Sequence, residues 1–197
     1  MNFKWVLGLF LVGPVIFEGP LGHTQSSPER KAPPVFSSTY TDLEKGCRNA
    51  FRKSEIAEGG DMPSLCKGAG DYSVSIFFSA ASSHMEVVKG PPGGERTFHL
   101  SLAATPLAGG SQTQKIEWRL ANNRPFAVIY RNALYRNAEA AMSGLEPAVK
   151  TGDVLVVKGL DGFGNIDASI DPRKEPQANE RARAAADAGY VSASQGK

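Results

Sequence analysis

Cysteine and histidine are scarce in this chain, with two cysteines and three histidines among 197 residues. No C-x-x-C and no H-E-x-x-H occurs, so the usual thiol-redox and zinc-hydrolase signatures are missing. G-x-S-x-G, the phosphate-binding G-x-x-x-x-G-K-[ST] and a dinucleotide glycine fingerprint are missing as well. Charge of one sign is not in excess either: 22 Lys and Arg face 20 Asp and Glu, a net charge of +2. Nucleic-acid binding needs basic residues gathered in clear excess, and no polybasic run exists. Long apolar runs are limited to one, Trp5 to Phe17, shorter than the roughly 20 residues that span a bilayer as a helix.

That one run has a meaning of its own. Lys4 precedes it and small and polar residues follow, the layout of a secretory signal peptide over residues 1–26, with Thr24 and Ser26 as the −3 and −1 pair. Its removal takes away only Lys4 and Glu18, so the net charge is unchanged. An exported chain with no membrane span after cleavage is expected, periplasmic or extracellular. Both cysteines, Cys47 and Cys66, lie in the exported part, where an even pair in an oxidising compartment reads as a disulfide. Closing a loop of that size contributes about 3 kcal/mol by restricting the unfolded chain.

Composition and period divide the rest. Residues 27–39 are Ser- and Pro-rich without apolar period and read as a flexible tether. A single disulfide-braced domain is expected over 40–189, with a disordered tail at 190–197. Thr41 and Glu44 have capping-box spacing, which suggests a short helix there. After Cys66 the period becomes two. Tyr72, Val74, Ile76 and Phe78 alternate with serines, and Phe98, Leu100 and Leu102 alternate with polar residues. "DVLVVKGL" and "NIDASID" read as two strands joined across "DGFG", with weak helical character near Ala138 to Leu145 before them. "QANERARAAADAG" is alanine-rich, with Asn179 or Asp171 near its start and Gly189 past its end, and reads as a terminal helix. The fold class is therefore α+β, an antiparallel sheet of about six strands with a C-terminal helix; a β-sandwich is the alternative.

The stretch "IEWRLANNRPFAVIYR" constrains its own register. For both apolar sets to face one core, Ile116 must lie opposite Tyr130, Trp118 opposite Val128 and Leu120 opposite Phe126. That requires a loop of three or five residues, with Asn122 or Asn123 in the left-handed conformation. The opposite face then carries Lys115, Glu117, Arg119, Ala127, Ile129 and Arg131, which makes it the candidate partner-binding surface; a plain solvated face is the competing reading.

Several fragments in order, "YTDL", "CKGAGDYSV", "IEWRLANNRPFAVIYR", "VLVVKGLDGFGNIDASID" and "ANERARAAAD", resemble a group of secreted or periplasmic bacterial proteins with Y-T-x-L, C and C-x-G signatures, an IEWR…PFA hairpin and a final A-N-x-x-A-R-x-x-A-D helix. The resemblance runs from Tyr40 to Asp187 and implies location and fold but no activity. Members with a second cysteine pair carry it where this chain has Gly162 to Asn165 and Gly189-Tyr190, so the resemblance implies a helix docked here by packing alone.

No residue set selects a catalytic site. His84 and His99 sit in alternating strands, where an outward, solvated ring is expected. Asp161, Asn165 and Asp167 lie close together but lack the calcium-loop spacing, and read as a turn. Glu55, Glu58 and Asp61 read likewise as a polar turn. No cofactor and no metal is expected. A non-catalytic, inhibitor-like binding module of the cell envelope is the leading expectation, its partner an envelope protein or polysaccharide and not nucleic acid. A hydrolase using His84 or His99 as base, and a structural envelope component, are the other two classes.

Overall fold

In the computed structural model the described residues are 32–45, 47–49, 63–90, 96–107 and 115–195. The expected signal peptide, the first part of the tether, and the Glu55, Glu58 and Asp61 cluster lie outside them. Contacts define a compact unit over Pro34–Lys197. Its described residues form ten strands: β1 (Phe36–Asp42), β2 (Cys47–Asn49), β3 (Ser64–Lys67), β4 (Tyr72–Phe78), β5 (Ser82–Lys89), β6 (Phe98–Pro106), β7 (Lys115–Ala121), β8 (Arg124–Tyr135), β9 (Lys150–Gly159) and β10 (Asp167–Ile170). A short helix α1 (Ala138–Met142) and a long helix α2 (Ala178–Gln195) complete them.

The fold class is α+β, with more strands than the period alone revealed. They make two antiparallel five-stranded sheets, β1-β7-β8-β9-β10 and β2-β3-β4-β5-β6. Tyr72, Val74 and Ile76 of β4 and Val87 of β5 pack against Ile116, Trp118, Val128 and Tyr130 of the other sheet, so the main core lies between the sheets, as in a sandwich. The fully buried Trp118 indole donates from Nε1 to Thr41 Oγ1 at 2.9 Å, and Thr41 Oγ1 donates onward to Lys67 O at 2.8 Å. Cys47 and Cys66 are paired across β2 and β3 and bonded, with Cys66 in that core.

A second core lies on the other face of the β7-β8-β9 sheet. There Phe126, Ala127, Ile129, Leu155 and Val157 are covered by Ala178, Ala182 and Ala186 of α2. The four-residue spacing of those alanines puts them on one helix face, and their small side chains let the helix lie close. Gly189, expected past the helix end, is inside the helix: a Cβ there would stand 2.6 Å from Ile166 Cγ1. Tyr190 follows and stacks on Phe163, with ring centroids 5.1 Å apart. Asn165 Nδ2 also donates to Gly189 O at 2.9 Å. The helix is therefore held by ring contacts, hydrogen bonds and the ion pairs described below, and not by packing alone.

The expected ends of the domain shift outward for the same reason. Residues 36–39, read as tether, belong to β1, which pairs with β7 from Phe36↔Ala121 to Asp42↔Lys115. Phe36 is what anchors it, with its ring 5.8 Å from Phe126 and 5.6 Å from Tyr190. The tail read as disordered from 190 is helical through Gln195. Strand β1 runs to Asp42 and a turn follows, so the capping-box spacing at Thr41 makes no helix.

Hairpin β7-β8 keeps the deduced pairs Ile116↔Tyr130 and Trp118↔Val128, but not Leu120 with Phe126. Its turn has two residues, Asn122 (φ 50) and Asn123 (φ 64), which suits a type I′ turn because Asn tolerates positive φ. A β-bulge reconciles the even turn with the apolar pattern: Arg119 pairs with Ala127, Leu120 with Pro125, and Phe126 is the extra residue. Phe126 thereby faces the helix while Leu120 packs toward the inter-sheet core.

Candidate functional site

The hairpin face expected to meet a partner is inside the protein. Glu117, Arg119, Ala127 and Ile129 are all buried beneath α2, and only Lys115 and Arg131, at the open end of the hairpin, are exposed. Two ion pairs fill the polar part of this layer. Arg119 donates from Nε and Nη2 to Asp187 Oδ1 at 3.1 and 2.8 Å and from Nη2 to Oδ2 at 2.6 Å, while its Nη1 donates to Ser38 Oγ at 2.7 Å. Arg183 donates to Glu117 from Nε at 2.7 Å and from Nη2 at 3.2 Å, and Ser38 adds a hydroxyl donor. Burial pushes the Glu117 carboxyl up, but the hydrogen bonds from Arg183 and Ser38, with Arg119 close by, outweigh it and hold the group below the ordinary carboxylate value. The pairing raises Arg183 further above its already high value. As a partner surface this face is corrected: Glu117 and Arg119, the charges at its centre, are paired with the helix.

The histidines stand apart from each other. His84 Nε2 lies 3.2 Å from Ser82 Oγ, and His99 Nε2 lies 2.8 Å from Glu86 Oε2 with its side chain half exposed. Asp161, Asn165 and Asp167 have three separate partners, Lys89, Gly189 O and Lys158.

A cavity of about 740 Å³ opens instead on the outer face of the other sheet. Its position follows from the disulfide. Cys47 and Cys66 face the core, so the residues that follow them, Arg48 on β2 and Lys67 on β3, point to the opposite side. Arg48 is paired with Leu65 and Lys67 with Ser73, and all four line the cavity. The rim is fixed by backbone bonds: Gly90 N donates to Asp71 O at 3.3 Å and Thr97 N to Lys89 O at 3.0 Å.

Lys89 also borders the cavity, but it pairs with Tyr72 across β4 and β5, which puts its side chain on the core-facing side of the sheet. Its Nζ is 2.9 Å from Asp161 Oδ2 and 5.6 Å from the centre of the Tyr72 ring, which holds it at one corner. The hydrogen bond to Asp161, with the nearby Tyr72, raises its pKa, so it is a fixed positive charge and not a nucleophile. Burial likewise raises the Tyr72 hydroxyl above the ordinary tyrosine value, with Lys89 opposing. Arg48 and Lys67 are exposed and form no ion pair among the described residues. Asp71 is the one acidic side chain among the described lining residues, and no described histidine is there.

Sequence reading had not singled out these cations. The signal was present in "CR" and "CK": in an antiparallel pair bridged by a disulfide, the next residue on each strand must face away from the core. No family model, no curated protein and no solved structure matches the chain.

Proposed function

We propose that this protein is an exported, non-catalytic binding module of the bacterial cell envelope, and that the cavity on the β2-β3-β4-β5 face is where it binds. The observation that carries the reading is the cavity's lining. It offers Arg48 and Lys67 with hydroxyls from Ser73 and Thr97, one carboxylate, Asp71, and no histidine among its described residues. Such groups hold an anionic ligand through charge-assisted hydrogen bonds, and the one described carboxylate, Asp71, lacks the second carboxyl group that glycoside hydrolysis uses. The leader-like N-terminus and the bonded cysteine pair support an oxidising compartment. The likeness to secreted and periplasmic bacterial proteins supports the same location.

The alternative hydrolase, with His84 or His99 as base, would need one of them at a cleft. His84 contacts a serine, but no carboxylate stands behind its ring among the described residues, and neither histidine lines the cavity. The test is fractionation of cells producing the full chain, followed by co-sedimentation of the exported protein with isolated cell-envelope material. Wild type should be retained, and Arg48→Glu with Lys67→Glu should release it. Recovery in the cytoplasm, or equal retention of both forms, contradicts the reading.

A further inference from the structure

Size, charge and position of the cavity narrow its ligand, an inference that rests on the binding-module reading. We propose that it binds a carboxylate-bearing polysaccharide, with Arg48 and Lys67 pairing to acidic groups of the glycan. A volume of about 740 Å³ is far beyond what a lone ion fills and falls in the range of pockets for ligands of several rings. Arg48 and Lys67 lie on one sheet face as diagonal neighbours of adjacent strands, positions about 7–8 Å apart in such an arrangement, so their long side chains can meet separate acidic groups of one chain.

An acidic peptide fits less well. Extended peptides gain affinity by adding a strand to a sheet edge, through main-chain hydrogen bonds. This cavity instead lies mainly over a sheet face, where β3 and β4 are paired on both sides; the edge strand that reaches it, β2, has three residues, too few for an added strand to gain much from main-chain hydrogen bonds. A ligand there must be recognised by side chains, and the cations with the Ser73 and Thr97 hydroxyls match the carboxylates and hydroxyls of an acidic glycan.

Calorimetric titration of the disulfide-intact protein tests this, with oligogalacturonate as the probe and maltohexaose and polyglutamate as comparison arms. Oligogalacturonate should bind, about tenfold or more tighter than either comparison ligand, and more weakly as salt rises. Arg48→Glu with Lys67→Glu should cost about tenfold or more in affinity, while Lys174→Glu, an exposed cation elsewhere, should cost nothing. If the double reversal disturbs the circular dichroism spectrum, Arg48→Gln and Lys67→Gln singly should each weaken binding. Preference for polyglutamate overturns the ligand class and leaves the binding module standing. Shortening of the oligogalacturonate during titration overturns the non-catalytic reading. Absence of oligogalacturonate binding, or binding that the variants do not weaken, overturns the proposal.

Discussion

Asp187→Ala isolates the contact that fastens α2 to the sheet. Asp187 is 24% exposed and Arg119 only 8%, so truncating the aspartate strands a guanidinium where water barely reaches. Breaking a buried pair by removing one partner costs about 3–5 kcal/mol, and the partial exposure of Asp187 brings the expectation down to about 2–4 kcal/mol. The retained Ser38 acceptor offsets only one of the four donor contacts that Arg119 makes. Arg119→Met combined with Asp187→Leu removes both charges and leaves apolar side chains between sheet and helix. The double variant should therefore be more stable than Asp187→Ala alone, although it loses more hydrogen bonds. Urea unfolding followed by far-ultraviolet circular dichroism gives both values, with the slope checking that the two-state form is kept. A loss under about 0.5 kcal/mol for Asp187→Ala, the size usual for a surface position, would refute the burial of this pair.

Trp118→Ala should cost about 3–5 kcal/mol by the same measurement, since the side chain is fully buried and its Nε1 bond to Thr41 is lost; a cost under about 1 kcal/mol would move the indole out of the core. Mass analysis of the native protein should find no free thiol at Cys47 or Cys66, and reduction should lower the urea midpoint without melting the sheets, because most strands lie outside the loop. Stability should fall on acidification. The Glu117 carboxyl is depressed in the folded state, so its contribution is present above the unfolded value near 4.5 and is lost as pH drops through the lower folded value. Glu117→Gln should flatten that part of the profile, and an unchanged acid limb would contradict it.

How much of this was legible is clearest at the hairpin. Ile116, Trp118, Val128 and Tyr130 fix their register because a one-residue slip would turn an indole to water. The bulge at Phe126 was hidden, because it resolves a conflict between turn and pattern that admits a longer loop equally well. Glu117 and Arg119 read as a solvated face because alternation reports which residues share a side, not what covers it. Their partners are 66 and 68 positions away. A fainter clue existed: two residues along a strand advance about 6.8 Å and four along a helix about 6 Å, so Glu117/Arg119 and Arg183/Asp187 are spaced to match with opposite signs. Strand β1 was masked by its Ser and Pro content, although Phe36, Ser38 and Tyr40 alternate with Ser37, Thr39 and Thr41.

The most direct test is a backbone amide chemical-shift map of the protein titrated with oligogalacturonate. Shifts confined to Arg48, Lys67, Gly70, Ser73 and Thr97, with Glu117, Arg119 and α2 unmoved, are the expected result. Shifts centred on Lys115, Arg131 or the helix, or none at saturating ligand, would contradict it.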